Sequence, residues 1–424
     1  MVERPAPYAT QSPQATAKGW RPPVVLQVLP GLVTGGVERG TVDVAAAVAA
    51  AGWVSLVASS GGPMVRELER AGARHIALPL DSKNPFVMRA NIERLGEVIA
   101  RHGVDIVHAR SRAPAWSALF AARRAGVRFV TTFHGTYNAG NPAKRWYNSV
   151  MARGDRVIAA SRFIVDHVVD QYHASAPLVR HIPRGIDFLR FDPARVSAER
   201  QAKLAREWRL PDGVPVVMLP GRLTRWKGQG VLIDAIAQRG KRDLRCLLVG
   251  SDQGRGFYRR ELEQRIARHG LETVVHVIDH CSDMPAALKL ADLVVSASTD
   301  AEAFGRVAVE AQAMGKPVVA TDHGGSRETV LHGETGWLIK PGDPAQLAAA
   351  IDAALALSEE ERHAIAERAI AFARASFARE LMCARTLDVY REVLAERPLV
   401  HPAPAAGASG SGAGPGPGRG KVAA

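Results

Sequence analysis

Two glutamates, Glu302 and Glu310, lie eight positions apart around a predicted helix start. The polar stretch at Glu302 follows an apolar strand, and the helix is predicted over Arg306–Met314. A carboxylate on an otherwise apolar helix is costly unless it is paired or binds a ligand. Carboxylates accept two hydrogen bonds from a diol, which suits ribose or sugar hydroxyls. The alternative is that Glu302 caps the helix and Glu310 is an exposed charge.

The turn into this helix is formed by Phe304, Gly305, Arg306 and Val307. A helix start leaves its first backbone N–H groups without intrahelical partners, and such groups bind anions and hydroxyl oxygens. We therefore expect the backbone of this turn to contact a ligand between the two glutamates.

Cations are concentrated in a second loop, which contains Gly221, Arg222, Arg225, Lys227 and Gly228. The loop ends a predicted strand and opens a helix. Arginine binds phosphate oxygens in a bidentate fork, and lysine supplies a compact charge. Cations are unfavourable at a helix N-terminus, where the dipole is already positive, so a ligand-binding role is favoured over a solvated helix start. Arg222 and Lys227 are expected to neutralise a phosphate leaving group.

Two further strand-end loops carry weaker signals. Gly35 and Gly36 precede a predicted helix and let a ligand approach the backbone closely, although an ordinary tight turn explains them equally well. His134 comes directly after a strand, where it can donate to a sugar hydroxyl or relay a proton, or serve as a structural histidine.

Short apolar runs alternate with helical stretches along most of the chain, which predicts parallel sheets covered on both faces. The alternation restarts after Pro183, so the predicted fold is α/β, with two doubly wound Rossmann-like domains over residues 22–185 and 186–376. A last helix is predicted at Phe377–Leu394. Open parallel sheets bind ligands beyond the carboxyl ends of their strands, so the site is expected in the cleft between the domains.

Composition adds limits on partners and compartment. The chain has 424 residues, a formal charge of +13 and a pI near 10.1, which favours phosphate-bearing partners or reflects arginine-rich solvated helices. Three separated cysteines predict neither a disulfide framework nor a zinc site. No apolar leader is present, so a cytoplasmic location is expected. Residues 1–21 and 397–424 are expected to be a disordered leader and tail.

Together these motifs resemble glycosyltransferase family 4, whose members have the GT-B fold. The resemblance covers nearly all of Val24–Leu394. It implies that Arg222 and Lys227 hold the donor diphosphate, that the first glutamate contacts the transferred sugar, and that the second binds the donor ribose. By the same resemblance, Gly35 and Gly36 face the donor phosphates and the acceptor, and His134 lies close to the sugar. The last helix, residues 377–396, is expected to pack back onto the N-terminal, acceptor-side domain.

The resemblance implies transfer of a sugar from a nucleotide-diphosphate donor to an acceptor hydroxyl with retained configuration, without a metal ion or other cofactor. The N-terminal half is also similar to bacterial transferases of lipopolysaccharide core assembly. That similarity predicts a lipid-linked or lipopolysaccharide-core acceptor, a role in the cell envelope, and peripheral contact with an anionic membrane. A basic, aromatic surface is consistent with this, although solvated helix faces explain it too: Arg112, Trp116, Arg123, Arg124, Lys144, Arg145, Trp146, Tyr147 and Arg153.

Two other functions remain open at this stage. One is another enzyme of the same fold. A nucleotide-sugar epimerase would share the phosphate-binding loops, and a phosphorylase would use inorganic phosphate, although no motif for its pyridoxal lysine is evident. A basic nucleic-acid-binding protein would explain the charge, but it would spread cations along one face rather than cluster Arg222 and Lys227 in one loop.

Overall fold

The computed structural model describes residues 21–33, 35–137, 140–254 and 256–396. Its N-terminal half is built on a seven-stranded parallel sheet of order β3-β2-β1-β4-β5-β6-β7. The strands are β1 Val24–Val28, β2 Val54–Ser59, β3 Arg74–Ala77, β4 Ile106–Ala109, β5 Arg128–Phe133, β6 Arg156–Ala159 and β7 Val179–His181. Most are short, continuously buried runs, as expected for a sheet covered on both faces.

Helices connect these strands and cover both faces of the sheet. Local signals set their ends: the Asn84 side chain accepts a hydrogen bond from Phe86 N at 2.9 Å, and Gly103 ends the same helix in the left-handed region. The helices are α1 Gly36–Ala50, α2 Val65–Arg70, α3 Pro85–His102, α4 Arg112–Ala125, α5 Pro142–Asn148 and α6 Arg162–Tyr172.

The C-terminal half repeats the design with a six-stranded parallel sheet of order β10-β9-β8-β11-β12-β13. Its strands are β8 Val216–Pro220, β9 Arg245–Val249, β10 Val275–Ile278, β11 Leu293–Ser296, β12 Val318–Thr321 and β13 Gly336–Ile339. Its helices are α7 Ala198–Glu207, α8 Gln229–Arg239, α9 Gly256–Arg268, α10 Met284–Leu290, α11 Arg306–Ala313, α12 Ser326–Thr329, α13 Pro344–Leu355 and α14 Glu359–Phe377. The predicted pair of doubly wound α/β units is therefore confirmed.

Strand order determines which loops can form a binding site. In the first sheet the order reverses between β1 and β4, and in the second it reverses between β8 and β11. Loops diverge at such a switch point and leave a crevice at the carboxyl ends of the strands. The Gly35–Gly36 loop follows β1, the Arg222 loop follows β8, and Glu302 follows β11. Three of the predicted loops therefore border the two crevices.

The chain crosses between the domains twice at one place. Ile186 N donates to Phe377 O at 2.8 Å, and Arg379 N donates to Ile186 O at 3.0 Å. Arg379 Nη1 also lies 2.8 Å from Asp187 Oδ2. These contacts join the end of the first domain to the return of the chain from the second.

The last predicted helix, Phe377–Leu394, begins differently in the structure. Phe377 ends α14, where its ring packs edge-on against Phe304 at 5.3 Å, and Ala378 is extended. The following helix, α15 Arg379–Ala395, lies on the first domain. There Tyr390 Oη and His108 Nδ1 are 2.6 Å apart, and Arg156 pairs with Glu392.

The sequence pattern missed β7 and β13, because β7 has three residues and the half-buried β13 begins at Gly336. The predicted leader and tail lie outside the described residues, except that Arg21 is described and binds Asp105 Oδ1 at 2.7 Å. Over the described ranges, no helix combines the length and the apolar character that crossing a membrane requires.

Candidate active site between the two sheets

The Lys227 ammonium and the Glu302 carboxylate meet at the carboxyl ends of β8 and β11. Lys227 lies on a 3₁₀ turn, and its Nζ is 2.5 Å from Glu302 Oε1. Ser298 Oγ donates to the same oxygen at 2.7 Å. The two side chains are only 16% and 12% exposed, so the pair is largely shielded from water. Glu302 does not cap α11, because the N-cap position is Gly305, in the left-handed region at φ 88°.

The second glutamate is paired within its own helix. Arg306 donates from Nε at 3.0 Å and from Nη2 at 2.6 Å to Glu310 Oε1, and the Glu310 side chain is 13% exposed. The charge of Glu310, which is costly on an apolar helix unless it is paired, is therefore balanced by Arg306 one turn away. The Phe304 side chain is buried in the core, so only its backbone can face a ligand.

Arg222 differs from its neighbours in the same loop. Its side chain is exposed and, within the described residues, makes no hydrogen bond or ion pair, while its carbonyl accepts from Gln229 Nε2 at 2.9 Å. Arg225 instead pairs with Glu261 on α9 at 2.6 Å. Within this loop, Arg222 is therefore exposed without a partner in the described residues, whereas Lys227 is paired with Glu302 and Arg225 with Glu261.

His134 follows β5 and contacts a residue that the sequence analysis did not identify, Arg184. His134 Nδ1 lies 2.5 Å from Arg184 Nη2. Because arginine can only donate, Nδ1 accepts, and the ring proton is on Nε2. Burial, together with the Arg184 charge, holds the pKa of His134 well below its usual value, so the ring is neutral. His134 Nε2 is buried and has no partner among the described residues, which leaves it as a donor at the cleft.

Gly36, at the start of α1, makes room for two guanidinium groups, whereas a Cβ on Gly35 would meet the Glu38 carboxylate. A Cβ added to Gly36 would lie 2.7 Å from Arg184 Nη1 and 3.4 Å from Arg306 Nη1. Arg184 belongs to the first domain and Arg306 to the second, so both domains place a cation at this helix N-terminus. The available signal for Arg184 was its position in the Pro-Arg-Gly turn that follows β7.

Backbone contacts hold the Glu302 loop against the first domain. Ser161 Oγ donates to Ala303 O at 2.6 Å. The Glu328 carboxylate accepts from Arg162 N at 2.9 Å and from Phe163 N at 3.1 Å, at the N-terminus of α6. The two halves of the candidate site are therefore positioned relative to each other by direct contacts.

This arrangement can bind a polyanion and sugar hydroxyls. It combines an exposed arginine, a shielded lysine, a carboxylate and a neutral imidazole donor on loops from both sheets with a second carboxylate on α11. Among the described residues, no group of three or more His, Cys, Asp or Glu side chains could hold a metal ion.

Two family models match the chain in sequence. Residues 34–190 match Glycosyltransferase Family 4, and residues 200–372 match Glycosyl transferases group 1. The chain is 32% identical over 262 residues to D-inositol 3-phosphate glycosyltransferase of Corynebacterium kroppenstedtii, which covers 59% of this chain and 56% of that protein.

Solved structures extend the likeness to both domains. A glycosyltransferase from Rickettsia africae has a TM-score of 0.82 and 37% identity, covering 89% of this chain and 100% of that one. HepE from Anabaena in complex with UDP-glucose has a TM-score of 0.75 and 27% identity, covering 87% of this chain and 99% of that one. The two-sheet architecture is therefore the GT-B fold, and the comparisons favour a transferase over an epimerase or a nucleic-acid-binding protein.

Proposed function

Because the chain belongs to glycosyltransferase family 4, we propose that it transfers a sugar from a nucleotide-diphosphate donor to an acceptor hydroxyl with retained configuration and without a metal ion. The observation that carries this proposal is the Lys227–Glu302 pair, which joins a phosphate-binding cation to a sugar-binding carboxylate at one switch point. The bound donor of HepE makes UDP-glucose the first donor to test.

The proposed roles follow from the charges and donors at the site. Arg222 and Lys227 bind the diphosphate and neutralise the negative charge that develops as the bond from the sugar anomeric carbon to the phosphate oxygen breaks. Glu302 accepts hydrogen bonds from sugar hydroxyls, and Glu310 from the ribose diol. His134 Nε2 donates to a sugar hydroxyl.

Retention follows in this scheme if the acceptor attacks from the face that the diphosphate leaves. The departing phosphate oxygen takes the proton of the incoming hydroxyl while the new glycosidic bond forms. No side chain is required as a nucleophile. The first N–H groups of α11, on Arg306 and Val307, lie between the two glutamates and can bind donor oxygens; Gly35 and Gly36 allow close approach at α1.

Product configuration tests this proposal. UDP-glucose labelled with ¹³C at the anomeric carbon is incubated with the full chain and an acceptor, and the product linkage is read by NMR. We expect an α-linked product from the α-linked donor, and the same rate after EDTA treatment. A β-linked product would contradict retention, and loss of activity that Mg²⁺ or Mn²⁺ restores would contradict metal independence.

The acceptor is proposed to be a lipid-linked or lipopolysaccharide-core glycan at an anionic membrane face. Support comes from Trp146 on α5, which is 60% exposed, whereas the predicted surface residue Trp116 on α4 is buried beneath it with the ring centroids 4.5 Å apart. Lys144 and Arg145 are exposed beside Trp146. Arg112 does not contribute, because its guanidinium lies over the Tyr137 ring at 3.9 Å and binds Asn148 at 2.7 Å.

A second acceptor candidate comes from the Corynebacterium relative, whose name gives D-inositol 3-phosphate. The rate of UDP release from UDP-glucose is measured with D-inositol 3-phosphate as the acceptor and, separately, with a lipopolysaccharide-core glycan as the acceptor. Co-sedimentation of the protein with anionic phosphatidylglycerol vesicles tests binding to a membrane surface, and phosphatidylcholine vesicles are the uncharged control. Turnover with the inositol phosphate and no vesicle binding would replace the lipid-linked acceptor with a free phosphorylated polyol.

A further inference from the structure

Two arginines of the first domain lie in a small cavity beside the candidate active site. Arg110 follows β4 and is 4% exposed, and Arg184 follows β7. Both line a cavity of about 20 Å³ together with His134, Arg306 of the second domain, the start of α1 and residues of α15. Neither guanidinium belongs to the donor-binding loops of the second sheet.

No carboxylate is paired with either group. Arg110 Nε is buried without a hydrogen-bond partner, and Arg184 has only the neutral His134 as a side-chain partner, over the part of the chain that the structure describes. A buried cation without a counter-charge is unfavourable. Burial and the neighbouring charges of Arg306 and Arg110 lower the pKa of Arg184 to about 9. Asp43 and Glu38 act on Arg110 and Arg184 respectively, but neither carboxylate forms an ion pair with them in the described residues, so the charge of the cluster is only partly compensated.

The adjacent helix is shaped to accommodate these groups. Gly36 and Gly40 lie one turn apart on α1, and a Cβ on Gly40 would lie 3.1 Å from Arg110 Nη2. Glycine inside a helix is less favourable than alanine, so Gly40 weakens α1 locally. Its effect is a side-chain-free face along which the Arg110 and Arg184 guanidiniums lie. The N-terminus of α1 directs the positive end of its helix dipole toward the same two guanidinium groups.

We propose that Arg110 and Arg184 bind an oxyanion of the acceptor, a phosphate or a carboxylate, next to His134. The inference rests on the proposed transferase function and names the chemistry of its acceptor. The donor diphosphate is assigned to Arg222 and Lys227 on the second sheet. With a volume of about 20 Å³, the cavity admits one or two oxygen atoms of an anionic group but not a sugar ring or a base, so the rest of the acceptor would lie outside it. An acceptor held here by its charged group would present a nearby hydroxyl to the donor sugar beside His134.

Thermal unfolding of the full chain tests the proposal with inorganic phosphate, and in a parallel series with acetate, as the probe. UDP is kept at saturation so that the donor diphosphate site is filled, and KCl at equal ionic strength is the blank. We expect phosphate or acetate to raise the Tm of the wild type, because a ligand that binds the folded state stabilises it. The anion with the larger shift identifies the group.

The variants are Arg184→Gln, Arg110→Gln and Arg184→Lys, with Arg66→Gln on the exposed face of α2 as the matched control. We expect the apparent Kd for the anion to rise about tenfold or more in both glutamine variants, to rise less in Arg184→Lys, and to stay unchanged in Arg66→Gln. Because Arg110 is buried, Arg184→Gln decides the outcome if Arg110→Gln fails to fold.

The proposal is overturned if neither anion raises the Tm of the wild type, or if Arg184→Gln retains the full shift. The UDP-dependent shift is read separately in every variant and should persist. A wild type that UDP does not stabilise would contradict the donor assignment, whatever phosphate or acetate does, so the two failures are distinguishable.

Discussion

Lys227 Nζ and Glu302 Oε1 are 2.5 Å apart, although 75 residues separate them in the chain. The pair links the loop after β8 to the loop after β11. Because each group is only slightly exposed, removing one leaves a shielded charge without its partner. Donor binding would place a diphosphate near the ammonium and sugar hydroxyls near the carboxylate, so both groups are already positioned for their proposed ligands.

Replacing this lysine should reduce turnover strongly. We expect Lys227→Ala to lower kcat by about 100- to 1,000-fold, because the leaving diphosphate loses a preorganised cation. Arg225→Ala is the matched control, since that arginine is in the same turn but 65% exposed and paired with Glu261. Its kcat should change by no more than about twofold. Initial rates of UDP release measure both, and equal effects in the two variants would contradict the assignment.

Substitution of Glu302 should affect mainly sugar transfer, and substitution of Glu310 mainly nucleotide binding. We expect Glu302→Gln to lower kcat by about 100-fold with little change in UDP affinity, because Glu302 is assigned to the sugar. Glu310→Gln should weaken UDP binding about tenfold, because a charged acceptor for the ribose is lost. Calorimetry with UDP and initial rates distinguish the variants. The reverse pattern would mean that the roles are exchanged.

Asp43 on α1 should make stability depend on pH. Burial raises the pKa of Asp43 from 3.8 to about 6, against the opposing charges of Arg379, Arg39 and Arg306. The folded state therefore binds more protons than the unfolded state between these values. This contribution to stability is present below about pH 4 and is lost as pH rises through about 6.

We therefore expect Asp43→Asn to become more stable than the wild type as pH rises from 4 to 7, by up to about 3 kcal/mol. Chemical denaturation at several pH values measures the difference. Asp388→Asn, at a side chain that is 69% exposed, controls for the loss of one negative charge. A constant difference between Asp43→Asn and the wild type over this range would contradict the prediction.

Docking of α15 on the first domain depends on a buried hydrogen-bond chain. Tyr390 is 0% exposed and bonds to His108 Nδ1, and His108 Nε2 lies 2.7 Å from Thr132 Oγ1. Tyr390→Phe should lower the free energy of unfolding by about 1–3 kcal/mol, because His108 is left with an unpaired buried nitrogen. Tyr172→Phe is the control, since the Tyr172 hydroxyl is buried without a partner among the described residues. Tyr172→Phe should leave the free energy of unfolding unchanged or slightly higher. An equal decrease in both variants would contradict a stabilising role for the Tyr390–His108–Thr132 hydrogen bonds.

The sequence by itself determined the α/β class, the two doubly wound units and most of the loops that border the cleft. These features are local: an apolar strand, a glycine-containing turn and a helix follow one another along the chain, and parallel strands direct their following loops to one edge. The placement of Glu302, Glu310, Arg222 and Lys227 could be predicted for the same reason, because each lies in such a loop or in the helix that follows it.

Only the tertiary structure decided which of these groups meet. The Lys227–Glu302 pair, the approach of Arg184 to His134, and the meeting of Arg184 and Arg306 at Gly36 join residues that are far apart in sequence. Strand order and domain contacts fix these distances, and no local pattern encodes them. Arg110 was missed for this reason: its type and spacing are ordinary, and its significance comes from being buried without an ion pair in the described residues.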